Sequence, residues 1–203
     1  MKHIAIIVAS VYGQTRKIAD CLRQQLENAG TTAETFVIEA RRPRPVPLEV
    51  FDAVVLGAPV YSGRFPAGFE AWTRTHLQTI QAKPSAFFSV SLNAADKRPE
   101  AREADDRLLR QFIERTGLKP DFVASFAGAL QYTRYNFFIR WIMKRISASV
   151  GGPTDTFHDY EMTDWNQVSA FAEAFAQQGR RSLFATPIRL PGRDYTDARV
   201  SAM

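Results

Sequence analysis

One cysteine, three histidines and no run of about 18 apolar residues make this sequence short of several devices. With Cys21 alone, no internal disulfide forms, which suits a reducing compartment. His3, His76 and His158 are scattered and form no triad or metal-ligand spacing. No segment qualifies as a membrane span. The opening Met1-Lys2-His3 and its apolar run are too short for a secretory leader, and charged Arg16 and Lys17 follow soon after. The run reads as a first strand, and a cytoplasmic location is expected. Neither Gly-x-x-x-x-Gly-Lys nor Gly-x-Gly-x-x-Gly occurs, so nucleoside triphosphate and dinucleotide sites lack their fingerprints.

What is present describes an ordinary folded chain. Its 203 residues suit one large domain, and 45% hydrophobic with 23% charged residues argues against disorder. Lys and Arg number 26 against 21 Asp and Glu, a formal charge of +5. That excess favours anionic partners, whether nucleic acid, acidic lipid or a carboxylate substrate.

Short apolar runs alternate with helical patterns. Strands are predicted at 3–9, 35–38, 53–57, 86–90 and 122–126. Helices are predicted at 15–29, from Pro66 through Ile80, from Pro99 to a stop at Gly117, and after a Thr163 cap, with Gly179 following the last. Residues 41–47, with three prolines, read as a loop. Five strands alternating with helices imply an α/β fold with a doubly wound parallel sheet. Two segments break the alternation: 129–162, an insertion before the last helix, and 180–203, a tail without periodic pattern that is expected to be mobile. The domain proper is expected to span 1–179.

Ser10-Val11-Tyr12-Gly13-Gln14-Thr15 joins the first strand to the first helix. A helix N-terminus at the carboxyl end of such a sheet offers free N–H groups and partial positive charge, which suit a phosphate. Ser10 and Thr15 add hydroxyls, and Gly13 lets the backbone come close. A response regulator would need acidic residues at the end of the first strand, where Val8-Ala9-Ser10 has none. On these residues alone, a plain strand-to-helix turn with a hydroxyl cap fits equally well.

The insertion has a composition of its own. No Asp or Glu stands between Asp121 and Asp155, a stretch that holds Arg134, Arg140, Lys144 and Arg145 among Tyr132, Tyr135, Phe137, Phe138 and Trp141. A helix is expected over 136–147, with Asn136, Arg140 and Lys144 on one face and Phe138, Ile142 and Ile146 on another, flanked by Trp141. Such a segment suits an anionic membrane boundary, the carboxylates of a flat apolar ligand, or plain packing on the domain with its charges solvated. Nucleic acid is disfavoured, because no recognised motif accompanies the basic residues.

Ser-x-x-Gly-x-Thr after a first strand resembles the phosphate loop of flavodoxins. Ala58-Pro59-Val60-Tyr61-Ser62-Gly63 and Ser91-Leu92-Asn93-Ala94 fall where flavodoxins hold their ring-binding loops. That resemblance implies a sheet ordered 2-1-3-4-5 and a bound FMN. Ser10, Val11, Tyr12, Gly13, Gln14 and Thr15 would hold its phosphate, and Pro59, Val60, Tyr61, Ser62, Gly63, Ser91, Leu92, Asn93 and Ala94 would frame its ring. Tyr61 either stacks on that ring or packs on the surface.

Further segments resemble one branch, the flavodoxin-like, quinone-dependent protoporphyrinogen oxidases of bacteria. They are Gly13-Gln14-Thr15-Arg16, Pro84-Ser85-Ala86-Phe87 with Ser89-Val90, Gly128-Ala129-Leu130 with Tyr132, Arg134 and Tyr135, Ile142-Met143-Lys144, Gly151-Gly152 with Thr154-Asp155-Thr156, and Thr163-Asp164-Trp165. The family tends to have an acidic residue where Tyr12 stands, an Arg-Tyr-Gly ring loop where this chain reads Tyr61-Ser62-Gly63-Arg64, and a proline at Thr133.

This resemblance implies oxidation of protoporphyrinogen IX in haem biosynthesis. FMN would carry the redox chemistry, a membrane quinone would accept the electrons, and no side chain would act as nucleophile. It also implies peripheral contact with the cytoplasmic face of an inner membrane. Arg134, Arg140, Lys144 and Arg145 are then candidates for substrate carboxylates or lipid phosphates; Arg189 and Arg193 would add only to membrane attraction, and a solvated tail is the preferred reading for them. Two rivals are a flavodoxin-type electron carrier and an NAD(P)H:quinone reductase. Carriers of that type usually have acidic docking faces, and this chain is basic.

Overall fold

A computed structural model describes residues 3–39, 45–149 and 151–178. Five parallel strands form its sheet: β1 (His3–Val8), β2 (Thr32–Val37), β3 (Ala53–Pro59), β4 (Ser85–Ser91) and β5 (Phe122–Ala127). They lie in the order β2-β1-β3-β4-β5, the doubly wound arrangement expected from the alternation. β3 and β4 are buried along their whole length, as strands covered on both faces must be.

The two faces follow from the period of two along a strand. Ile4, Ile6 and Val8 meet α1 (Gln14–Asn28) and α6 (Trp165–Gln178) through Ile18, Leu22, Val168, Phe171 and Phe175. Ala5 and Ile7 face the opposite side, where α2 (Ala67–Thr75) and α4 (Pro99–Thr116) contribute Phe69, Trp72, Leu109 and Phe112. α4 begins at Pro99 and stops at Gly117, as its sequence signals require.

Three expectations about elements need correction. β2 starts at Thr32, earlier than its apolar residues suggested, because its edge pairing with β1 runs from His3↔Thr32. The helix that follows Pro66 is two helices, α2 and α3 (Leu77–Gln81), divided at His76, whose Nδ1 lies 2.9 Å from the Trp72 carbonyl. The cap of α6 is Asp164, not Thr163: Asp164 Oδ1 accepts from the Asn166 and Gln167 amides at 3.0 and 3.3 Å. Residues 40–44 of the proline loop, together with Gly179 and the tail with Arg189 and Arg193, lie outside the described residues.

Between β5 and α6 the chain makes an excursion. It runs through β6 (Ala129–Leu130), a 3-10 turn (Tyr132–Arg134) and α5 (Phe137–Ser149), then returns through β7 (Tyr160–Glu161), antiparallel to β6. The Met162 N–H donates to the Gly128 carbonyl at 3.0 Å, so departure and return lie side by side. Leu130, Tyr132 and Tyr135 form a small separate core here, against Tyr12, Leu92, Ile139 and Met143. This core stands on the carboxyl ends of the strands.

Candidate functional site

The loop after β1 ends in Gly13, which has φ 102° and ψ −14° and accepts the first helical bond, from the Lys17 N–H at 3.0 Å. That φ disfavours any residue with a Cβ. The opening amides of α1 lack intrahelical acceptors and form the anion-binding end of the helix. Ser10 Oγ is shielded from solvent and has no hydrogen-bond partner among the described residues. A buried orphan hydroxyl beside a helix N-terminus fits an oxyanion ligand such as a flavin phosphate, since leaving it unpaired is costly. Thr15 is buried as well. The Gln14 side chain turns elsewhere, donating from Nε2 to Thr163 Oγ1 at 2.9 Å.

The loop after β3 is a tight hairpin. The Tyr61 N–H donates to the Arg64 carbonyl at 2.9 Å and the Arg64 N–H returns a bond to the Tyr61 carbonyl at 3.0 Å. Ser62 and Gly63 between them have φ 48° and 70°, the two positive angles of a type I′ turn. Tyr61 is packed against the first loop. Its ring meets Tyr12 edge-on at 5.5 Å, and burial pushes its phenol up to about 12, against the opposing pull of the Tyr12 and Val11 backbone. The loop after β4 turns on Ser91, whose Oγ accepts from the Ala94 N–H at 3.1 Å, and Leu92 reaches into the small core of the insertion. All three loops thus stand at the carboxyl ends of adjacent strands, where doubly wound sheets bind ligands.

The insertion reaches the first loop directly. Arg134 Nη1 donates to the Tyr12 carbonyl at 2.6 Å, and Tyr135 packs edge-on against the Tyr12 ring at 4.9 Å. Arg140 donates from Nε to the Tyr132 carbonyl at 2.9 Å and from Nη2 to the Tyr135 carbonyl at 3.1 Å, so its guanidinium holds the turn before α5. Lys144 and Arg145 are exposed, with Arg145 5.3 Å above the Trp141 ring. Of the four candidate cations, Arg134 and Arg140 bond backbone carbonyls, and Arg134, Lys144 and Arg145 are exposed.

Comparison with known proteins gives these loops a context. A flavodoxin-domain family model matches residues 5–157. The protoporphyrinogen IX dehydrogenase [quinone] of Escherichia coli K12 is 36% identical over 172 residues, 84% of this chain and 93% of that protein. Its namesake from Leishmania major is 33% identical over 188 residues, 93% of this chain and 77% of that one. The chain belongs to this flavodoxin-like dehydrogenase family. Oxidised flavodoxin 1 from Bacillus cereus, 17% identical, superposes with a TM-score of 0.51 over 87% of this chain and 98% of its own, which supports the fold.

Against that family the departures find local explanations. Tyr12, where an acidic residue is usual, lies between the rings of Tyr61 and Tyr135. Thr133, where a proline is usual, donates its N–H to Asp159 Oδ1 at 2.9 Å, and its Oγ1 lies 2.9 and 3.0 Å from the two carboxylate oxygens. A proline has no such N–H. Sequence reasoning missed Asp159 and read Thr163 only as a cap, because nothing local signals a partner 26 or 149 residues away.

α5 packs Ile139, Met143 and Ser147 inward. The face expected to carry Phe138, Ile142 and Ile146 is a different one, and Phe138 and Ile146 on it are exposed. Phe137, Phe138 and Trp141 are 85%, 64% and 51% exposed. Among the described residues no helix is long and apolar enough to cross a membrane.

The other titratable candidates have structural partners. His3 Nε2 lies 2.9 Å from Glu34, and His158 Nδ1 lies 2.8 Å from Asp155. Cys21 packs against the core, and burial raises its thiol.

Proposed function

We propose that the chain binds FMN and oxidises protoporphyrinogen IX to protoporphyrin IX, with a membrane quinone as electron acceptor. One observation carries the reading most: a chain 36% identical to a protoporphyrinogen IX dehydrogenase over 93% of that protein's length has the orphan Ser10 hydroxyl and left-handed Gly13 at the mouth of α1. FMN, when bound, supplies the redox chemistry, taking hydride equivalents from the porphyrinogen and delivering electrons to the quinone. Backbone amides of Val11 to Thr15, with the hydroxyls of Ser10 and Thr15, hold the phosphate. The loops of Pro59, Val60, Tyr61, Ser62 and Gly63 and of Ser91, Leu92, Asn93 and Ala94 frame the ring.

The exposed aromatics of α5, with Lys144 and Arg145, form a peripheral contact with anionic membrane, from which a lipid-soluble quinone is reached. With the Arg140 guanidinium bonded to backbone carbonyls, Lys144 and Arg145, together with exposed Arg134, are the cations for lipid phosphates or substrate carboxylates.

The test is anaerobic mixing of FMN-loaded protein with protoporphyrinogen and a menaquinone analogue. Porphyrin fluorescence that grows only with both present is expected. Turnover with NADPH instead of porphyrinogen would move the protein to the quinone reductases, and a protein that ignores FMN in titration would end the reading.

A further inference from the structure

The first loop lacks a lysine or arginine of its own before α1 begins, yet a guanidinium touches it. Arg134 Nη1 is 2.6 Å from the Tyr12 carbonyl, across 122 residues of chain. A Cβ added at Gly13 would lie only 2.8 Å from the same nitrogen. The left-handed backbone is what requires glycine here, and the Arg134 guanidinium lies directly over it. Residue 12 is held by the insertion at both ends, its carbonyl by Arg134 and its ring by Tyr135 at 4.9 Å. The nearest cation in sequence, Arg16, points along α1 toward Asp20 at 4.0 Å.

We propose that Arg134 is a positioning residue of the phosphate loop, by which the insertion completes the anion site it stands beside. The inference rests on the flavin reading above and adds a residue and a coupling to it. The Tyr12 carbonyl and the Gly13 N–H belong to one peptide unit. A charged donor on that carbonyl fixes the unit's orientation and polarises it, which strengthens the N–H as a donor to the phosphate. The guanidinium adds a favourable Coulomb interaction with the phosphate charge that weakens as salt rises. Because the contact joins insertion and loop, phosphate binding and docking of the turn at Tyr132–Arg134 favour each other reciprocally.

Riboflavin has the same ring as FMN without the phosphate, so it separates this role from general support of the fold. Full-length flavin-free protein and its Arg134→Gln and Arg134→Lys variants are titrated with FMN and with riboflavin at two salt concentrations. In Arg134→Gln, FMN affinity is expected to fall about tenfold, with riboflavin affinity changed less than about twofold and a shallower salt dependence. Arg134→Lys, which keeps the charge and loses the planar fork, is expected to retain part of the FMN preference. Equal loss of both flavins in both variants, or unchanged FMN affinity in Arg134→Gln, overturns the proposal while FMN binding by the parent chain stands. A parent chain that binds neither flavin overturns the flavin reading and this proposal together.

Discussion

Gln14 Nε2 donates to Thr163 Oγ1 at 2.9 Å, and Thr163 Oγ1 donates onward to the Ala127 carbonyl at 2.7 Å. The pair ties the first residue of α1 to the end of β5 at the point where the insertion rejoins the body. Gln14→Ala and Thr163→Val are each expected to lower stability by about 1–2 kcal/mol, the cost of leaving a partner unpaired. The double variant should cost less than the sum, because both remove one shared bond. Urea unfolding of the four proteins measures this.

Gly57 in β3 pairs with Phe88 of β4, and a Cβ there would lie 2.1–2.6 Å from the Phe88 ring. Phe88 is fully buried, so neither residue has room to move. Gly57→Ala is expected to destabilise by roughly 1–3 kcal/mol through overpacking. The larger test is Gly57→Ala combined with Phe88→Leu, which should recover part of the loss in thermal unfolding.

Tyr61 gives stability a pH signature. Its phenol titrates near 10.0 in an unfolded chain and at about 12 when folded, because burial disfavours the anion. The unfolded state therefore releases its proton first as pH rises. The contribution is complete below pH 10 and is lost progressively toward 12. Tyr135 is raised in the same direction, also by burial, so Tyr61→Phe should flatten only part of the alkaline decline. Denaturant midpoints between pH 9 and about 11.5 for parent and variant measure it.

The outward face of α5 can be changed without touching the loop. Replacing Phe137, Phe138 and Trp141 by serine removes exposed aromatics, while Ile139 and Met143 remain packed. Sedimentation with anionic vesicles is expected to fall about tenfold or more, with FMN affinity and far-UV circular dichroism unchanged. Deleting the whole helix would be a poorer test, because Tyr135 and Arg134 before it grip Tyr12.

The parallel sheet was legible because β1, β3, β4 and β5 are largely apolar runs alternating with helices, whereas β2 carries Glu34 and two threonines, and the order 2-1-3-4-5 is what the flavodoxin resemblance implied. The phosphate loop was legible as a pattern, since Ser10, Gly13 and Thr15 each have a local reason to be there. The division of the basic residues was not. Helical spacing grouped Arg140 with Lys144, but the carbonyls of Tyr132 and Tyr135 turn Arg140 inward, and no periodicity encodes those acceptors. Thr163 looked like a helix cap for the same reason. A hydroxyl before a helix suits that role, and only the fold brings Gln14 and Ala127 to it and gives the cap to Asp164.

Because Gly128 and Met162 are bonded neighbours, the long excursion between them begins and finishes at a single doorway. A short bridge across that doorway would leave every strand of the parent sheet joined in its present sequence. The whole appendage can thus be removed at one point, and removing it would strip Tyr12 of both of its outer braces, Arg134 and Tyr135.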